Sequence, residues 1–237
     1  MFKFCKYLLK SVSFNFGVLK YKITISFFKK YSFYKMANQI TTLFLDIGGV
    51  LLTNGWDRNA RKLAAEKFSL NLDELNESHH LVFNDFETGK LSMDEYLNRL
   101  KLHNNLVFSK EELKAFIFEQ SKPFNSSISF FKALKQQHKL KVFAVNNEGR
   151  ELNEYRINKF KLDELFDAFV SSCYVKVRKP DPDIFRIACD IAHSQPQETI
   201  MIDDRSMFTE VAKTVGITGL QYTGLDDIKE KLKAVGF

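Results

Sequence analysis

Residues Thr42 to Leu45 form an uncharged run that ends on Asp46 and is followed by Ile47-Gly48-Gly49. A short apolar run closed by a glycine pair predicts a buried strand that stops in a loop. The period then changes. From Asp57 to Phe68 the residues Ala60, Leu63, Ala64 and Phe68 recur at helical spacing, and Leu72 to Phe83 continues in the same style. Ser92-Met93-Asp94-Glu95 and Ser109-Lys110-Glu111-Glu112 are capping-box patterns, each heading a further helix. Residues 56–122 therefore read as all-helical.

From Ser126 onward strands and helices alternate. The pattern predicts helix 126–138, strand 141–145, helix 150–160, a strand at 168–171, helix 183–193, strand 199–202, helix 206–215, strand 217–222 and a closing helix 225–234. Repeated β–α alternation predicts an α/β fold, a Rossmann-like parallel sheet with helices on both faces. The expected organisation is an α/β core from residues 36–55 and 123–237, with 56–122 inserted as a helical cap. In such sheets ligands sit beyond the carboxyl ends of the strands, so polar residues at strand ends carry the functional reading.

Composition changes this picture at the N-terminus. The chain has 237 residues, enough for a core with an insert, and its 45% apolar and 27% charged residues are ordinary for a globular protein. The net charge of +6 would suggest a polyanion partner. Eight of the 35 basic residues, however, fall in residues 1–35, which contain no acid, leaving 27 basic against 29 acidic residues elsewhere. The rest of the chain has no basic stripe with interleaved aromatics, so no nucleic-acid partner is expected. The leader is rich in Phe, Lys, Tyr, Ile, Leu and Ser, and Met36 opens the well-patterned segment. Its uncharged runs, Ser11 to Leu19 and Ile23 to Phe28, are too short to span a bilayer, and no small-residue cleavage site follows. The expectation is a disordered leader or a start-site artefact, with a surface-lying basic amphipathic segment as the alternative; stable membrane insertion is not expected.

Cys5, Cys173 and Cys189 are odd in number and unpaired in spacing, so no disulfide framework is expected and the cytoplasm is the default compartment. His79 and His80 are adjacent, which on a helix separates them by about 100°, so at most one can face a shared ligand. Nothing in the sequence sets an oligomeric state.

Four features fall at predicted strand ends: Asp46-Ile47-Gly48-Gly49-Val50, Asn146-Asn147, Lys179-Pro180-Asp181-Pro182-Asp183 and Asp203-Asp204. Each alone is a common loop or cap pattern; in this order and at these places they are specific. Here the chain resembles the haloacid dehalogenase superfamily over residues 41–222, with Arg178 to Phe185 the most distinctive stretch. It is most similar to the glucose-1-phosphate phosphatase-like group, and more distantly to the phosphatase domain of epoxide hydrolases. The resemblance implies a Mg2+-dependent phosphatase acting on a small phosphorylated metabolite, plausibly a sugar phosphate, through an aspartyl phosphate. It implies Asp46 as nucleophile and Lys179 as the lysine that neutralises Asp46 and a phosphate oxygen. It implies phosphate contacts from Asn146, Asn147 and Lys179. The metal ligands it implies are Asp46, the Gly48 carbonyl and Asp204, with Asp203 acting through water. The chemistry suits these residues, because a phosphate dianion repels an anionic nucleophile until positive charge is placed between them.

Two positions depart from the pattern. Gly48 stands where phosphatases of this superfamily usually carry a second aspartate, which protonates the leaving alcohol, a contribution typically of about 10²–10⁴-fold. Asn146 stands where Ser or Thr is usual. Three readings stay open: a phosphatase helped by water, by a cap acid such as Glu87 or Asp85, or by a good leaving group; a phosphate-binding regulator without turnover; and a metal-independent dehalogenase, which the Asp203-Asp204 pair disfavours. Trp56, Phe83, Phe86 and Tyr96 are candidate cap aromatics over the site.

Overall fold

The computed structural model describes residues 39–100 and 108–237. The leader expected at 1–35 lies outside the described residues. Five strands form one parallel sheet: β1 (Thr42–Leu45), β2 (Lys141–Ala144), β3 (Ala168–Phe169), β4 (Thr199–Asp203) and β5 (Thr218–Gln221), in the order β3-β2-β1-β4-β5. β1 is central and fully buried, as a parallel strand covered on both faces must be.

Alternation along β1 divides the core in two. Leu43 and Leu45 point into a cluster with Phe131 and Leu134 of α5 (Asn125–His138) and Ile228 and Leu232 of α10 (Leu225–Ala234). Phe44 points the other way, into a cluster with Ile184, Phe185 and Ala188 of α8 (Asp183–Ala192) and Ala212 of α9 (Ser206–Thr214). Burying Leu43, Phe44 and Leu45 alone contributes on the order of 5–9 kcal/mol of hydrophobic stabilisation before entropy is subtracted. The expected α/β sheet with helices on both faces is the observed one.

Between β1 and β2 the chain forms α1 (Arg58–Phe68), α2 (Leu72–Glu87), α3 (Met93–Arg99) and α4 (Lys110–Glu119), with no strand among the described residues of 56–122. Both capping boxes form: Ser92 and Glu95 exchange hydrogen bonds at the start of α3, and Ser109 and Glu112 do so at α4. These helices bury a third cluster that includes Trp56, Phe86, Tyr96 and Leu113, and Leu152 of α6 (Arg150–Phe160) joins it from the sheet side.

Three details differ from the sequence reading. β3 is shorter than the expected 168–171, and a short helix that the pattern did not predict, α7 (Ser172–Val175), follows it before the loop that carries Lys179. α1 buries Ala60, Arg61, Ala64 and Ala65 and leaves Leu63 40% exposed. The helix is rotated because Arg61 donates to Asn76 Oδ1 at 2.8 Å and to the Trp56 carbonyl at 2.9 Å, drawing its own side inward. α2 runs to Glu87 rather than Phe83 and ends where Gly89, at φ +64°, turns the chain. That extra turn carries Phe86 and Glu87.

The two connections to this helical block run side by side. Thr53 N–H donates to the Lys122 carbonyl at 2.9 Å, Lys122 N–H donates to Thr53 Oγ1 at 2.9 Å, and Leu52 forms an antiparallel bridge with Pro123.

Candidate active site

The sheet register assembles the acidic cluster. Leu45 lies opposite Ile202, so Asp46, one residue past β1, comes level with Asp203 at the end of β4. Carboxylate oxygens of Asp46, Asp203 and Asp204 all lie within 4.8 Å of one another. Lys179 reaches them from the loop before α8. Its ammonium is 3.1 Å from Asp46 Oδ1 and 2.5 Å from Asp203 Oδ2, and the side chain is 1% exposed. The neighbouring loop acids are not its partners: Asp183 pairs with Arg186.

The two members of the Asp pair differ in what remains free. Asp203 is fully engaged, with its other oxygen accepting from the Arg205 N–H at 2.9 Å. Asp204 accepts from Asn54 Nδ2 at 3.3 Å through Oδ2, while its buried Oδ1 has no partner. Three carboxylates face one ammonium here, and an orphaned buried carboxylate oxygen costs free energy unless something positive meets it. Oxygen-only donors with an excess of negative charge suit a hard divalent cation such as Mg2+.

Electrostatics at the site reflect this crowding. Burial raises the Asp46 carboxyl to about 7 against the downward pull of Lys179, with Asp203 and Asp204 adding to the rise. Burial likewise raises Asp204. Burial alone would lower Lys179, but the Asp203 and Asp46 carboxylates outweigh it and the net shift is upward, so the lysine stays charged.

The loop after Asp46 is tight. Gly49 sits at φ +73°, donates to the Leu52 carbonyl at 2.7 Å, and passes so close to Asp204 that a Cβ there would stand 2.3 Å from Oδ2. A Cβ on Gly48 would stand 2.7 Å from Asn54 Oδ1. The Asn54 amide thus occupies the space beside the position where an acid is usual, and it also touches Asp204.

Asn146 and Asn147 follow β2 and do different things. Asn147 clamps the Lys179 backbone, accepting from its N–H at 2.9 Å and donating to its carbonyl at 2.8 Å, and it lines the cavity over Asp46. Asn146 is 1% exposed, donates to Asn153 Oδ1 at 3.0 Å and accepts from Ser171 Oγ at 2.7 Å. It is not among the cavity-lining residues.

That cavity, of about 90 Å³, is shared by the strand ends and the inserted helices. Asp46, Gly48, Asn147 and Lys179 form its base, with Arg205 and Phe208; Trp56, His79, Phe86 and Glu87 line it from the helical side. Of the remaining aromatics, Phe83 lies under the Arg178 guanidinium at 4.8 Å, and Tyr96 is buried, taking a hydrogen bond from Trp56 Nε1 at 2.6 Å. The Tyr96 hydroxyl is also hydrogen-bonded to His79 Nδ1 at 2.7 Å. His80 is exposed.

The sequence profile of haloacid dehalogenase-like hydrolases matches residues 40–216. The chain belongs to this family. It is 22% identical over 214 residues to a D-ribitol-5-phosphate phosphatase of Bacteroides thetaiotaomicron, covering 83% of this chain and 98% of that protein. A drimenol cyclase of Aspergillus calidoustus is 24% identical over 197 residues, 81% of this chain, but the chain spans only 36% of that protein's length. Among solved structures, a haloacid dehalogenase family enzyme of Bacteroides thetaiotaomicron, crystallised with magnesium and inorganic phosphate, superposes with a TM-score of 0.67 at 22% identity, covering 79% of this chain and 96% of that one. No described helix is long and apolar enough to cross a membrane.

For this hydrolase the strand-end motifs were legible in the sequence, whereas several cavity residues were not. His79, Asn54, Glu148 and Arg205 line the cavity without any motif of their own. Glu148 is 6% exposed and pairs with Arg156 at 2.9 Å, yet burial lifts its carboxyl to about 7. Glu87 is held by Arg178 at 2.8 Å, whereas Asp85 pairs with Lys90 at the surface. Both acids were candidates in the sequence; the structure brings Glu87 to the cavity wall and leaves Asp85 off it.

Proposed function

We propose that this hydrolase is a Mg2+-dependent phosphatase of a small, hydroxylated phosphate monoester, with Asp46 as nucleophile and residues 56–122 as a cap. The observation that carries the reading is the Asp46–Lys179–Asp203 contact beside the unpartnered Asp204 oxygen. Phosphatases among its relatives support it.

Asp46, the Gly48 carbonyl and Asp204 would hold the metal, with Asp203 contributing through water. The ion, when bound, supplies the positive charge that lets a phosphate dianion approach a carboxylate. Lys179 neutralises the other side of the Asp46 carboxylate and a phosphate oxygen, and Asn147 fixes that lysine through its backbone. Asp46 attacks phosphorus as the ester bond to the leaving oxygen breaks, giving an aspartyl phosphate and an alkoxide that takes up a proton; water then cleaves the aspartyl phosphate. With glycine at 48 the proton comes from another source. Asp57 and Glu87 are the carboxyls of residues 56–122 that line the cavity; Asp57 caps α1 by accepting from the Ala60 N–H at 2.8 Å, which leaves Glu87 as the candidate donor to the leaving oxygen. The polar lining of Asn54, His79, Glu87 and Arg178 favours a hydroxylated leaving group over an apolar one.

Asn146 supports a second reading, a phosphate-binding protein with little turnover. Its amide is spent on Asn153 and Ser171, which weakens its part in holding phosphate. A screen of polyol and sugar phosphates, with and without Mg2+ and alongside Asp46→Asn, separates the two. Metal-dependent turnover that falls at least about 10³-fold in Asp46→Asn is expected. Activity that survives the substitution sinks the nucleophile assignment, and tight inorganic phosphate binding with no turnover favours the second reading. Fluoride release from fluoroacetate without metal would instead indicate a dehalogenase.

A further inference from the structure

Arg156, on α6, is 2% exposed and shares its guanidinium among three acceptors. Nε donates to Ser121 Oγ at 3.0 Å, Nη1 to Glu148 Oε2 at 2.9 Å, and Nη2 to the Thr53 carbonyl. Thr53 lies in the outgoing connector to the helical insertion and Ser121 in the returning one, so one core side chain grips both. The connectors are also tied to each other, since Thr53 Oγ1 donates to the Gln120 carbonyl at 2.6 Å. Gly55, in the outgoing connector, lies flat on the pair: a Cβ there would stand 2.9 Å from Glu148 Oε2 and 3.4 Å from Arg156 Cζ. Glu148 and Arg156 both line the cavity over Asp46.

A buried ion pair is a poor way to gain stability, because desolvation offsets most of the Coulomb attraction and a hydrophobic pair of similar volume does as well. What such a pair provides is fixed geometry, and a planar fork that meets three acceptors in three directions is a task for Arg and not for Lys. The simplest account of the pair is positional.

We propose that Arg156 is a positioning residue of the hinge: by holding Thr53 and Ser121 together it sets where the helical insertion stands over Asp46, and Glu148 carries that setting to the cavity wall. This rests on the reading of residues 56–122 as a cap. Loss of the grip lets the insertion reorient while the acidic cluster, built on β1 and β4, stays intact.

The test uses the full chain with Arg156→Lys, which keeps a charge opposite Glu148, and Glu148→Leu/Arg156→Leu, which removes both charges and leaves no buried ion unpaired. Hydrogen exchange at the Thr53 and Lys122 amides is expected to quicken about tenfold or more in both variants, with the β1 and β4 amides unchanged and Mg2+ affinity within about twofold of wild type. For p-nitrophenyl phosphate, kcat is expected to fall about tenfold while the Kd for inorganic phosphate changes by less than about twofold. Connector exchange that stays at the wild-type rate in both variants overturns the proposal, as does lowered thermal stability with kcat unchanged. The exchange measurement is read whether or not any ester is hydrolysed. Absence of Mg2+ and phosphate binding in the wild-type protein would count against the phosphatase reading alone.

Discussion

Gly49 concentrates two requirements on one residue, a positive φ and a backbone that touches Asp204. Gly49→Ala is expected to lower stability by about 1–2 kcal/mol and weaken Mg2+ binding at least tenfold, because strain and displacement fall on the same acidic pair; urea unfolding and metal titration measure the two separately. At Gly48 the obstacle is a side chain, Asn54 Oδ1, not the backbone. Gly48→Asp/Asn54→Ala is therefore expected to exceed Asn54→Ala in kcat by about tenfold or more, since the usual acid returns with room to stand, while Gly48→Asp alone gains less. His79 carries a different signature. Burial, with Arg61, His80 and Arg178 nearby, lowers it from 6.5 to about 3. The folded state keeps this imidazole neutral where the unfolded chain protonates it, so stability present above pH 6.5 is lost as pH falls towards 3. The loss is up to about 2 kcal/mol at pH 5. Denaturant unfolding of His79→Gln at pH 5 and 7 is expected to show a smaller difference between the two pH values than wild type.

At the scale of elements, helix starts were the most legible feature. Ser92 and Ser109 each head a helix in the sequence and each closes a full capping box in the structure, because the signal is local and needs only three residues in register. Ser92→Ala is expected to cost about 1 kcal/mol, read as a lowered Tm with the active site untouched. Helix faces and ends were less legible. Leu63 is outside and Arg61 inside because Asn76 and the Trp56 carbonyl decide which side of α1 turns inward. α2 gains its last turn, with Phe86 and Glu87, from packing rather than from an apolar period.

Across the whole molecule, the insertion is joined to the sheet domain by more than its two connectors. Arg178, next to Lys179 in sequence, pairs with Glu87 at 2.8 Å and covers Phe83, so a core loop holds α2 directly. Lys176 adds a bond to the Gly89 carbonyl at 2.6 Å, and Met93 N–H reaches Glu151 on α6 at 2.9 Å. Arg178→Gln is expected to raise KM several-fold for a phosphorylated substrate with a smaller effect on kcat, since Lys179 keeps its clamp on Asn147; steady-state kinetics on the best substrate from the screen would show it.

The succession of strands and helices, the parallel sheet and the strand-end positions of Asp46 and the Asp203-Asp204 pair were determined by the sequence alone, whereas the strand order β3-β2-β1-β4-β5 and the reach of Lys179 from the loop before α8 were not. Each of the former is written in contiguous residues: an apolar run, a turn, a polar residue at the end. Only the tertiary structure decided that Asn146 turns to Asn153 and Ser171 while Asn147 serves Lys179, that Asn54 stands beside Gly48, and that Arg156 spans Thr53 and Ser121. Those contacts join residues of different elements and loops, from Asn146 and Asn153, seven apart, to Thr53 and Arg156, 103 apart, and a side chain's direction at a strand end is set by the partners folding brings to it. Neither periodicity nor spacing carries that information, so the place of the chemistry is legible along the chain and the geometry around it is not.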